Sequence, residues 1–99
     1  MPQFVVIAYD GTDPDALARR MAVRPAHLEN VKPMVAAGQI IAGGALLDDA
    51  GGMIGSVSIV DFPDRAGLDH WLATDPYVTG KVWQKIEVKP FRLAVAAKG

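Results

Sequence analysis

The chain has 99 residues, 51% of them apolar, a formal net charge of −1 and no cysteine. That length supports one modest core and a single domain over residues 1–99, and that apolar content excludes disorder as the main state. The near-neutral charge, with no basic run, excludes the concentrated positive patch that nucleic acid or an anionic membrane surface requires, and the missing thiol excludes disulfide, zinc-thiolate and thiol-nucleophile chemistry.

Met1-Pro-Gln-Phe4 lacks the basic opening of a secretory signal, and no apolar run approaches the roughly 20 residues of a membrane span, so a cytoplasmic location is expected. Phe4-Val-Val-Ile-Ala-Tyr9 is apolar and β-branched and precedes the turn pair Asp10-Gly11, which predicts a strand buried on both faces. Thr12 or Asp13 can cap the helix that follows, with Pro14 in its first turn. The helix is predicted to reach about Ala37 and stop at Gly38. Pro25 and Pro33 leave the carbonyls of Met21 and Glu29 without partners, which predicts a kink near Pro25 or a break into two helices.

Gln39-Ile-Ile-Ala-Gly-Gly-Ala-Leu-Leu47 reads as a second strand, with Gly43-Gly44 marking a bulge or a close approach to the backbone. Asp48-Asp-Ala-Gly-Gly52 is a turn, and Met53 to Val60 forms the third strand of a hairpin. Asp64 is placed to cap a second helix whose apolar side is Ala66, Leu68, Trp71 and Leu72. Asp75-Pro-Tyr77 ends it, because the residue before proline leaves the α region. Val78-Thr-Gly80 is a connector, and Lys81 to about Ala96 reads as a long last strand with Pro90 at an edge or bulge.

Two stripes run along the first helix. Leu17, Met21, Leu28, Val31 and Val35 recur at helical spacing and predict the buried side. Arg20, Arg24 and His27 recur along its border, where neighbours at i,i+3 and i,i+4 are ~5–6 Å apart at Cβ. Like charges at that spacing repel, so the strip is expected to face something anionic. Surface arginines paired with carboxylates would give the same pattern at little energetic gain. His70, between Asp69 and Trp71, is expected at the surface. Two separated histidines and scattered carboxylates offer no metal-ligand cluster, and no cofactor is implied.

The order β-α-β-β-α-β is the split βαβ of a ferredoxin-like α+β sandwich. Right-handed crossovers put both helices on one sheet face. The other face would expose more contiguous apolar area than the few hundred Å², roughly, that monomers show, which predicts a homodimer with sheet against sheet.

Beyond these elements, the sequence resembles the YciI-like, or YCII-related, proteins of the dimeric α/β-barrel superfamily over nearly its whole length. The likeness rests on Arg20-x-x-x-Arg24-x-x-His27-Leu28, Gly43-Gly44, Gly55-Ser56, Asp75-Pro76-Tyr77 and Val88-Lys89-Pro90-Phe91 taken in order. The resemblance implies a face-to-face dimer, a pocket between helices and sheet, and a catalytic pair mapping onto His27 and Asp75. Characterised members of the family resemble lyases, such as a dehydrochlorinase of hydroxylated chloroaromatics.

Imidazole exchanges protons near neutrality, and a carboxylate on one ring nitrogen fixes its tautomer. No nucleophile is evident: Ser56 is a strand residue without a glycine-framed elbow. The expectation is proton-transfer elimination or isomerisation of a small anionic cyclic or phenolic compound. Arg20 or Arg24 would hold the anion, and Gly44, Ser56 and Tyr77 would line the site. The same residues also fit a binding module that catalyses nothing, and a haem-handling enzyme would use His27 as axial ligand. An aspartate before proline is also a common turn residue, and Tyr77 and Trp83 are also common core aromatics.

Overall fold

Phe4, Val6, Ala8 and Asp10 alternate with Gln3, Val5, Ile7 and Tyr9 along β1 (Gln3–Asp10), and only the first set is buried. The period of two sends the sets to opposite faces of a sheet. A computed structural model describes residues 2–97. Its sheet has the order β2-β3-β1-β4, with β2 (Ile40–Leu47), β3 (Met53–Asp61) and β4 (Trp83–Phe91). All neighbouring pairs are antiparallel. The helices α1 (Ala16–Ala36), α2 (Arg65–Thr74) and the single turn α3 (Pro76–Thr79) complete a ferredoxin-like α+β fold. The core lies between helices and sheet, built from Phe4, Val6, Ala8, Ile40, Val60, Phe62, Leu68, Trp71, Tyr77, Val82 and Trp83.

Several expectations are corrected. The helix neither breaks at Pro25 nor at Pro33; α1 is continuous, and both prolines stand exposed beside exposed Met21 and Glu29, so the released carbonyls can be met by water. Its buried side is not the Leu17 stripe. Of that stripe Val31 alone packs on the core; Leu17, Met21, Leu28 and Val35 are 41–53% exposed, whereas Arg20 is the buried residue of the helix and Val23 and Met34 join Val31 on the core. Both stripes obey a 3.6-residue period, and the wheel alone does not choose between them; a carboxylate waiting at Asp10 does. Asp15 takes the N-terminal position of α1 without a side-chain cap bond; Asp13, two residues earlier, pairs with Arg19 at 2.8 Å and also accepts from the Asp15 N–H at 3.3 Å, so it satisfies a donor just ahead of the helix.

Gly38 terminates α1 as expected, at φ +77°, a conformation that costs glycine little. Asp64 caps α2 by accepting from the Gly67 N–H at 2.9 Å. The irregularities of β2 fall between Ile40 and Ala42 and between Leu46 and Leu47, not at Gly43-Gly44; of the two readings of that pair the close approach holds at Gly43, where a Cβ would lie 3.2 Å from Ser58 Oγ. The last strand is shorter than predicted: Lys81 sits at φ +61° before it, and no strand follows Phe91 among the described residues. Pro90 does lie on an edge strand, where its missing N–H breaks no ladder bond on the outer side. The segment Val78-Thr-Gly80, expected as a plain connector, belongs to the α3 turn and its end.

The first strand is sealed on one face only. Val5, Ile7, Val57 and Ile59 share the centre of the other face and are half-buried within the single chain. Among the described residues no helix is long and apolar enough to cross a membrane.

Candidate functional site

Pro76 pushes Asp75 out of the helical region, to φ −64° and ψ 136°, and so ends α2 and begins α3 at one residue. The Asp75 carboxylate is fully buried, and that position makes it a hub. Oδ1 accepts from the Tyr77 N–H at 2.8 Å and lies 2.8 Å from His27 Nδ1. Oδ2 accepts from Trp71 Nε1 at 2.9 Å, one turn earlier on α2, and from Asn30 Nδ2 at 3.3 Å. Burial pushes this carboxyl up, but the bonds from His27, the Tyr77 N–H and Trp71 outweigh it, and the net displacement is below the ordinary carboxylate value. Asp75 is therefore the anion, with no proton to give. His27 Nδ1 must donate, and in the neutral ring the lone pair is then on Nε2.

The imidazole is held on its faces as well. It stacks on Tyr77 with centroids 3.9 Å apart and planes 14° from parallel, and the Trp83 ring meets it edge-on at 5.7 Å. Arg20, two helical turns before His27, puts its Cζ 4.7 Å from the Tyr77 ring centroid. Burial raises the Tyr77 phenol above its ordinary value, opposed by Arg20 and Arg24, so it is neutral at pH 7.

Arg20 is 3% exposed and is spoken for. Its Nη1 donates to Asp10 Oδ1 at 2.9 Å and Oδ2 at 3.1 Å, and its Nη2 donates to Ser56 Oγ at 2.8 Å. Its Nε is buried without a partner. Burial raises the Asp10 carboxyl, with the Arg20 guanidinium pulling the other way. Trp83 Nε1 donates to the same Ser56 oxygen at 3.2 Å. Ser56 therefore binds side chains rather than only filling space. Arg24 is exposed, one turn before His27 and beside the same opening.

These groups surround one cavity of about 300 Å³ between α1, the β2–β3 hairpin and Trp71. His27, Arg20, Arg24, Gly44, Ser56 and Tyr77 all line it, as do Trp71 and Trp83. Asp75 lies behind His27, sealed from the cavity. Gly44 contributes backbone: a Cβ built there would meet nothing within 4 Å. Among the described residues no three His, Cys, Asp or Glu side chains gather as metal ligands. His70 is exposed, and its carbonyl accepts from Thr74 Oγ1 at 2.8 Å.

Sequence reasoning missed four members of the site: Asp10, Asn30, Trp71 and Trp83 in their polar roles. Asn30 was signalled by its i,i+3 relation to His27, and Trp71 by its i,i+4 relation to Asp75. The pairing of Asp10 with Arg20, and of Trp83 with Ser56, crosses between elements and left no local trace.

The YCII-related domain model matches residues 3–92. The chain is 33% identical over 95 residues to Protein YciI of Escherichia coli, covering 90% of this chain and 95% of that one. It is 34% identical, over the same shares, to an uncharacterised protein of Haemophilus influenzae. Among solved structures it is similar to 5-chloro-2-hydroxyhydroquinone dehydrochlorinase (TftG) of Burkholderia phenoliruptrix, in complex with 2,5-dihydroxybenzoquinone. The TM-score is 0.80 at 23% identity, over 93% of this chain and 95% of that one. A dimeric ferredoxin-like protein from Jannaschia sp. superposes with TM-score 0.55 at 13% identity, over 94% and 100% of the two chains. At these identities the structural likenesses speak to the fold.

Proposed function

The chain belongs to the YCII-related family, and on that premise we propose that it is a small-molecule enzyme that moves a proton with the His27–Asp75 pair. The observation that carries this reading is the 2.8 Å bond from His27 Nδ1 to a buried carboxylate, on a ring that lines the cavity and whose Nε2 has no partner among the described residues. His27 Nε2 takes a proton from a hydroxyl or an acidic ring carbon of the substrate. The electron pair released forms a new double bond. In elimination a leaving group departs with its own electron pair; in isomerisation the same proton returns at another carbon. Asp75 stabilises the imidazolium while this lasts. A positioned acid–base of this kind is worth about 10²–10⁴-fold in rate.

The substrate class follows from the lining. About 300 Å³ holds one small ring, and the exposed Arg24 favours an anion at the mouth. The dehydrochlorinase, which acts on a chlorinated hydroxyhydroquinone, supports elimination from a hydroxylated aromatic as the first reaction to try. A module that merely binds would not need Asp75 and His27 in contact, so their bond supports catalysis. The dimeric relatives of this fold support the pairing of two open sheet faces around Val5, Ile7, Val57 and Ile59.

The test is turnover of chlorinated and unchlorinated hydroxyhydroquinones, followed by their ultraviolet bands and by chloride release. His27→Asn is expected to lower turnover of the accepted compound at least a hundredfold. Undiminished turnover removes His27 from the reaction.

A further inference from the structure

The Ser56 hydroxyl has only its proton left to offer. A hydroxyl carries two lone pairs and one proton. Both lone pairs are engaged, by Arg20 Nη2 at 2.8 Å and Trp83 Nε1 at 3.2 Å. Neither guanidinium nor indole N–H can accept a proton in return. Among the described residues nothing accepts from Ser56 Oγ, and the residue lines the cavity that His27 lines.

We propose that Ser56 is the oxyanion donor of this site: its O–H meets the oxygen of a phenol or enol that gains negative charge as His27 Nε2 removes a proton. The assignment rests on the proton-transfer reading given above and adds where the charge goes. Arg20 is a positioning residue here. Its guanidinium, fixed from behind by Asp10, acts on the ligand through Ser56, because charge-assisted donation to Oγ polarises the O–H and strengthens the bond it makes. The same arrangement explains why Ser56 is no nucleophile: the lone pairs that would attack are occupied.

Trp83 sets the spacing. Its ring lies 5.7 Å from the His27 imidazole, centre to centre, while its Nε1 holds Ser56. Base and donor both line the cavity of about 300 Å³, which has room for one small conjugated ring. The ligand this selects has an acidic proton at one position and, conjugated with it, an oxygen that takes the charge. Donors aimed at a developing oxyanion are commonly the largest single catalytic contribution.

The experiment is equilibrium binding of para-substituted phenols of rising acidity, read by quenching of the fluorescence of Trp71 and Trp83, the two tryptophans of the chain. Wild-type affinity is expected to rise with phenol acidity. In Ser56→Ala the most acidic phenol is expected to bind about ten- to a hundredfold more weakly, the range for a hydrogen bond to a charged group, and the dependence on acidity to flatten. Ser56→Cys, with a thiol that donates weakly, is expected to show the same flattening and serves if the alanine variant does not fold. A Ser56 that only shapes the wall would weaken every phenol by one factor and leave the dependence steep; that result overturns the assignment. So does a wild-type protein that binds no phenol or is indifferent to acidity. Turnover by His27→Asn separates the two claims: lost turnover together with a steep dependence in Ser56→Ala leaves the base in place and removes the donor.

Discussion

Replacing Asp75 by asparagine changes one oxygen for an NH2 group and almost nothing in shape. In the wild type Oδ1 faces His27 Nδ1 and the Tyr77 N–H, and Oδ2 faces Trp71 Nε1 and Asn30 Nδ2. An amide can accept on one side only, and its own N–H groups then point at two donors. Each buried donor left without a partner costs about 1–3 kcal/mol, so Asp75→Asn is expected to cost about 3 kcal/mol, a large share of the ~5–15 kcal/mol typical of a domain. Urea unfolding at one fixed protein concentration measures it. The sign of the pH dependence follows from the lowered Asp75 carboxyl. Its stabilisation is complete above the unfolded value near 3.8 and is lost as pH falls through the lower folded value. The gap between wild type and Asp75→Asn should therefore be full at neutral pH and close on acidification. The raised Asp10 carboxyl acts in the opposite sense, losing stability as pH rises through its folded value, but it is common to both proteins and cancels in the difference. A loss under about 1 kcal/mol at pH 7, or a gap that widens in acid, refutes the hub as drawn.

Arg20→Met alone strands a buried Asp10 carboxylate and is expected to cost about 3–5 kcal/mol, whereas adding Asp10→Leu should recover much of it; chemical denaturation of the single and double variants decides. Gly38→Ala has open space around the new methyl and pays only for φ +77°, so a loss of about 1 kcal/mol is expected in the same assay. Light scattering of the wild type should return a dimer, and Ile7→Glu, at the centre of the open sheet face, should shift it to monomer; a monomeric wild type removes the sheet-to-sheet pairing.

The strands and their order along the chain were legible because β-branched runs and turn glycines act locally: Phe4 to Tyr9, the Asp48–Gly52 turn and the Asp64 cap needed no distant partner. What failed were choices that depend on tertiary contact. Leu17, Met21, Leu28 and Val35 share helical spacing with Val31 as well as Val23 and Met34 do, and the decision was made by Asp10 capturing Arg20 from another element. A kink or break near Pro25 was expected because periodicity does not say that Met21 and Glu29, whose carbonyls the prolines release, lie at the exposed side of the helix. At the site, His27 and Asp75 were found as residues, yet the bonds that give them roles come from Asn30, Trp71 and Tyr77, whose contributions exist only once two helices and a turn have met. The positive strip expected along α1 splits in two: Arg24 stays at the surface, and Arg20 is committed to a buried ion pair with Asp10.

If Asp75 fixes His27 as proposed, the neutral ring carries its proton on Nδ1 and its lone pair on Nε2. Nitrogen-15 NMR of the labelled imidazole reads this directly, at a pH where the ring is neutral. A protonated, carboxylate-bonded Nδ1 and an unprotonated Nε2 are expected, with the order lost in Asp75→Asn. A neutral ring protonated on Nε2 in the wild type would contradict it.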